Sequence, residues 1–108
     1  MPENQRLEML KQILADDPAN TLARYGMAME YAGMGETDTA LAEFNTLIAS
    51  NPEYANAYFM AAQTLARVER NDEAKAFLQR GIEAAQRAGN RHAESEMQAM
   101  FEELEGGY

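Results

Sequence analysis

The sequence predicts an all-α protein, a short α-solenoid of antiparallel helix pairs closed by a C-terminal capping helix. Three observations lead there. The 108 residues are rich in Ala, Glu, Gln, Met and Leu and poor in the Val, Ile and Thr that favour strands. Slid by 34 residues, the chain superimposes on itself. Prolines and glycines punctuate it at intervals that suit short helices.

The offset shows in paired positions. Pro18 falls on Pro52, Ala28 on Ala62, Asp38 on Asp72, Ala40 on Ala74 and Ile48 on Ile82. Matches of size class carry more weight than alanine identities in an Ala-rich chain: Tyr25 meets Phe59, Tyr31 meets Leu65, Met34 meets Val68 and Phe44 meets Leu78. Carried backwards, the offset places Leu7 on Leu41, Leu10 on Phe44 and Leu14 on Ile48. Residues 3–17 therefore read as an N-terminal half repeat, 18–51 and 52–88 as two full repeats, 89–104 as the cap and 105–108 as a loose tail, within a single domain.

The pattern predicts helices near residues 3–16, 20–34, 38–50, 54–68, 72–88 and 91–104. Pro18 and Pro52 are excluded from helix interiors, so each ends one segment and opens the next. Gly33-Met34-Gly35 followed by Thr37-Asp38 reads as a stop and then an N-cap. The matching stretch, Glu69-Arg70-Asn71-Asp72, keeps Asn71 as an N-cap candidate without the glycines. After Gly89-Asn90, the residues Ala93, Met97, Met100, Phe101 and Leu104 form one apolar stripe, and Glu94, Glu96, Gln98, Glu102 and Glu103 cover the rest. A helix apolar on one face only suits the end of a stack.

The first full repeat offers Met27-Ala28, Tyr31, Ala40, Phe44 and Pro52, and the second Tyr58, Ala61-Ala62, Leu65, Ala74 and Leu78. With this spacing, residues 3–88 resemble the tetratricopeptide repeat. The resemblance implies a right-handed superhelix and a role in binding other proteins. Three residues depart from the pattern: Arg24 where the first aromatic belongs, Leu47 where a small residue usually sits, and Gln86 where the closing proline would fall.

Charge and composition narrow the function. Eighteen acidic against nine basic residues give a formal charge of -9, which repels nucleic-acid phosphates and anionic membranes. The N-terminus lacks a basic start and an apolar stretch, and no segment is apolar enough to span a bilayer, so the expectation is a cytoplasmic protein. The chain has no cysteine, which removes disulfides and thiolate chemistry. His92 has no second ligand at metal spacing and reads as a surface histidine; the glycines form no phosphate loop, and the acidic clusters at Asp16-Asp17 and in the last helix read as solvated faces. No catalysis, cofactor or metal is expected.

Helix 20–34 is apolar on nearly every side, with Arg24 and Glu30 as its only charges. Met27, Ala28 and Tyr31 form the stripe that matches the packing signature. A second stripe remains, comprising Leu22, Tyr25, Met29 and Ala32, with Asn56, Phe59, Gln63 and Ala66 as its mates one repeat on. The resemblance places this stripe on the concave side, where ligand peptides lie. The candidate partner-binding residues are Leu22, Tyr25, Met29, Asn56, Phe59, Gln63 and Arg67, with Arg67 and Arg70 at the rim for an acidic group. The family's carboxylate-gripping mode is disfavoured, because Tyr25, Met29, Phe59 and Gln63 stand in its places. Two roles fit: an adaptor that takes a peptide or helix of another protein, and a unit that self-associates through the same stripe or through helix 3–16.

Overall fold

The computed structural model describes residues 4–106 and contains, among them, six α-helices and no strand: α1 Gln5–Asp16, α2 Thr21–Gly33, α3 Thr37–Ser50, α4 Ala55–Arg67, α5 Asn71–Ala88 and α6 Arg91–Gly106. Each expected helix is present with ends within two residues of the expectation. The packing divides the chain into two units, one of residues up to Leu47 and one from Ile48 onward.

Helix starts rest on asparagine more than the sequence suggested. The side-chain oxygens of Asn4, Asn20 and Asn90 accept from the backbone N–H of Leu7, Ala23 and Ala93 at 3.0, 2.9 and 3.1 Å, each satisfying a donor that the first helical turn leaves free. Asn71, the expected cap, is instead the first residue inside α5, and Arg70 takes the cap position without a side-chain capping bond. Thr37 is likewise already helical: the Glu36 carbonyl accepts the first bond, from Ala40 N–H at 2.9 Å.

Both turns between paired helices close in the same way. Gly35 adopts φ +81° after α2, and the N–H groups of Gly35 and Glu36 reach back to Ala32 and Tyr31. At the matching place after α4, Glu69 adopts φ +63°, while the N–H groups of Glu69 and Arg70 reach Ala66 and Leu65. Glycine enters this left-handed region freely; glutamate does so against a Cβ clash. Gly89, at φ +69°, ends α5.

In the first unit Leu7, Leu14, Ala23 and Met27 form a buried cluster with Leu10 and Tyr31 against it. Phe44 of α3 is fully buried and meets the Tyr25 ring edge-on at 6.4 Å. In the second unit α4 packs on α5 and α5 on α6, around fully buried Leu65, Leu78 and Met97. The helices approach closely at Gly81: a Cβ added there would lie 2.5 Å from Met97 Sδ and 2.7 Å from Tyr58 Cβ. The tail expected to be loose is partly ordered, since Glu105 and Gly106 continue α6, and Glu105 bonds Lys75 of α5 at 3.0 Å. That bond holds the Lys75 ammonium above the usual lysine range. Gly107 and Tyr108 lie outside the described residues.

Candidate binding site

The α2 stripe opens to one side of the first unit. Leu22 is 75% exposed, whereas Tyr25 and Met29 are half-buried. Ala32, placed by sequence on the same stripe, is buried instead. Leu22, Tyr25 and Met29 line one concavity of about 500 Å³ together with Leu10 and Ile13 of α1. Its floor is shaped by Gly26, where a Cβ would touch the Leu10 methyls at 3.4 and 3.5 Å. The lining is apolar apart from Asn20 and the tyrosine hydroxyl, with Arg6 as its only charge. Arg6 is held at the edge by Glu30 at 3.0 Å, and Glu30 also accepts from Asn4 at 2.9 Å.

The α1 wall was not legible in the sequence. Leu7, Leu10 and Leu14 read as a packing stripe, but Ile13 gave no sign of lining a surface with Leu22. An apolar residue left outside the period of its own helix was the available signal.

The remaining candidates lie on α4 of the second unit. Asn56 and Arg67 are exposed, and Phe59 and Gln63 are half-buried; their spacing of three and four residues puts them on one helix face. Arg70 is not a free rim cation: its guanidinium forms a two-pronged pair with Glu73 at 2.7 and 2.8 Å. A second concavity, of about 420 Å³, is lined by Asn51, Pro52, Glu53, Tyr54 and Arg87; burial pushes the Tyr54 phenol up, so it remains a neutral hydroxyl.

His92 is highly exposed and sits 3.6 Å from Glu96, one turn along α6. Among the described residues no group of three or more His, Cys, Asp or Glu is placed to hold a metal, and no helix is long and apolar enough to cross a membrane.

The family model of the tetratricopeptide repeat matches residues 31–94. The chain is similar to a solved tetratricopeptide repeat domain protein of Salinibacter ruber, with 31% identity over 83% of this chain and 91% of that one, at a TM-score of 0.76. It is similar to a protein of Bordetella parapertussis at 25% identity over 99% of this chain and 91% of that one, TM-score 0.81. The Yersinia enterocolitica type III secretion translocator chaperone SycD shares the fold at TM-score 0.80 and 16% identity, over 92% and 76% of the two chains. A search of curated proteins returned no match.

Proposed function

Since this chain belongs to the tetratricopeptide repeat family, whose fold mediates protein–protein interaction or scaffolding, we propose that it is a non-catalytic module that binds a peptide or helix of another protein through the stripe assigned to the concave face. The observation that carries the reading is the apolar concavity on α2, with exposed Leu22 at its mouth and half-buried Tyr25 and Met29 inside. Exposed apolar surface of this kind on a small domain is a place where a partner gains burial energy. Tyrosine and methionine suit it, one giving a large contact with a polar tip and the other a side chain that adapts its shape. On the second unit, Asn56, Phe59, Gln63 and Arg67 form a further candidate surface along one face of α4. A cysteine-free chain suits the cytoplasm.

The test is affinity capture from the native lysate with the unmodified chain and with Leu22→Asp. Leu22 is mostly in water, so the variant should keep its helicity and melting temperature while losing the captured partners. Tyr25→Ala with Phe59→Ala should lose them too. A folded Leu22→Asp that captures the same proteins overturns the site.

A further inference from the structure

The faces of α1 and α6 differ in polarity. By the 34-residue offset, α6 corresponds to α4, and the positions that bury Tyr58, Ala61 and Ala62 in α4 hold exposed His92, Ser95 and Glu96 in α6. That face of α6 is polar. By two steps of the same offset, α1 corresponds to α5, with Met9 at the place of Phe77 and Ile13 at the place of Gly81. In α5 these places face Tyr58 of the preceding helix, Gly81 by contact and Phe77 through a shared Arg80 guanidinium. In α1 they are open: Met9 is 57% and Ile13 38% exposed.

Arg6, Met9, Ile13 and Asp16 follow at spacings of three, four and three residues, so they form one continuous exposed stripe along α1. The stripe carries a cation at its start, two apolar residues in the middle and an anion at its end. Turned around and laid against itself about a two-fold axis near residue 11, it sets Met9 opposite Ile13 of the second copy, and Arg6, whose Nε pairs with Glu30 at 3.0 Å while its side chain stays 66% exposed, opposite Asp16 of the second copy. Other features favour that occupant. Asp16 and Asp17 stand at the negative end of the α1 dipole, with no basic residue in its last turn, and an antiparallel helix brings both a positive helix end and an arginine to them. Within α1, Arg6 and Lys11 balance Glu8 and Asp16, so in a chain of formal charge -9 this helix is a surface on which two copies meet with little repulsion.

We infer that α1 is a self-association surface, at which two copies pair antiparallel through Met9 and Ile13, with Arg6 and Asp16 fixing the direction. The contact is one helix wide, so the dimer is weak and its population rises with concentration. Arg6 and Ile13 of this stripe also line the concavity, but Met9 does not, so Met9→Lys is the substitution that separates self-association from partner capture.

The experiment uses the purified full chain without any partner. Sedimentation equilibrium across a concentration series should show a monomer–dimer equilibrium, and Met9→Lys should weaken it by at least about tenfold while leaving the helical dichroism unchanged, as loss of a central apolar contact does. Because the chain has no cysteine, geometry can be read directly: Met9→Cys mixed with Ile13→Cys should form the mixed disulfide in preference to either homodimeric one. A chain that stays monomeric up to millimolar concentration overturns the inference. So does a dimer that survives Met9→Lys, or one in which Met9→Cys bridges best to itself. Loss of dimer with partner capture intact leaves the binding site standing, and the converse leaves the dimer standing.

Discussion

In the first full repeat, two places where the paired helices meet, away from the turn that joins them, hold Arg24 and Glu43; 34 residues on, the same places hold Tyr58 and Phe77. Arg24 pairs with Glu43 at 2.7 Å and donates to the Pro18 carbonyl at 3.3 Å. Tyr58 donates to the matching Pro52 carbonyl at 2.6 Å, and the Arg80 guanidinium lies over both the Tyr58 and Phe77 rings, 5.6 and 5.2 Å from their centres. A half-exposed ion pair in one repeat does the work of an aromatic pair under an arginine in the other. What the two repeats share is a tether from the first helix to the preceding turn and a filled space between helices. The tether can be a guanidinium or a phenol.

The same contrast continues one turn further along. Leu47 is 2% exposed in the first repeat, whereas its counterpart Gly81 leaves a notch that Tyr58 and Met97 fill. Exchanging the residues is the strongest way to break the equivalence. Gly81→Leu should unfold the second unit, since even one added carbon meets Tyr58 Cβ at 2.7 Å, close to a backbone that has little room to yield. Overpacking typically costs ~1–3 kcal/mol for small additions, and a whole leucine side chain goes beyond that. Loss of the cooperative thermal transition checks it; a melt within a few degrees of the parent shows that the notch can open.

The tethers should rank next. Tyr58→Phe removes a hydrogen bond while keeping the ring, for a loss of ~0.5–1.5 kcal/mol that does not depend on salt. A double-mutant cycle of Arg24→Ala and Glu43→Ala should return a smaller coupling, ~0.5–1 kcal/mol, that shrinks as salt is added. Denaturant melts at low and high salt measure both. Equal salt dependence in the two repeats would mean that the aromatic pair also works through charge.

The smallest effect belongs to the turns. Glu69 holds the left-handed conformation that Gly35 holds in the first repeat, so Glu69→Gly should raise stability by up to ~1 kcal/mol, the relief of the Cβ clash less the entropy that glycine adds to the unfolded chain. Gly35→Ala should lower it by a similar amount. A Glu69→Gly variant with a lower melting temperature shows that the side chain contributes more at this turn than its backbone costs.

Much of this fold was legible because a repeat states its size classes twice. Phe44 and Leu78, at matching positions, are both fully buried, and the helix ends follow from Pro18, Pro52, Gly35 and Gly89. Arg24 read as a departure from the family pattern because its partner, Glu43, is 19 residues away and only folding brings them together. Glu69 was illegible for the opposite reason: nothing in a glutamate announces a positive φ, which accompanies the backbone bonds from Glu69 and Arg70 N–H to Ala66 and Leu65 that close α4. The candidate site was half legible. Helical period placed Leu22, Tyr25 and Met29 on one face, but the wall supplied by Leu10 and Ile13 depends on how α1 lies along α2, which no period encodes.

The notch at Gly81 also sets an order of events during synthesis. The cluster of Leu7, Leu14, Ala23 and Met27 joins residues close in sequence and can form early in translation. The second unit cannot finish packing until Met97 has left the ribosome, because its side chain fills the space beside Gly81 and Tyr58. The final helix is therefore the step that turns a growing, partly open α4–α5 pair into a closed unit, and that pair must wait for it with its apolar notch exposed.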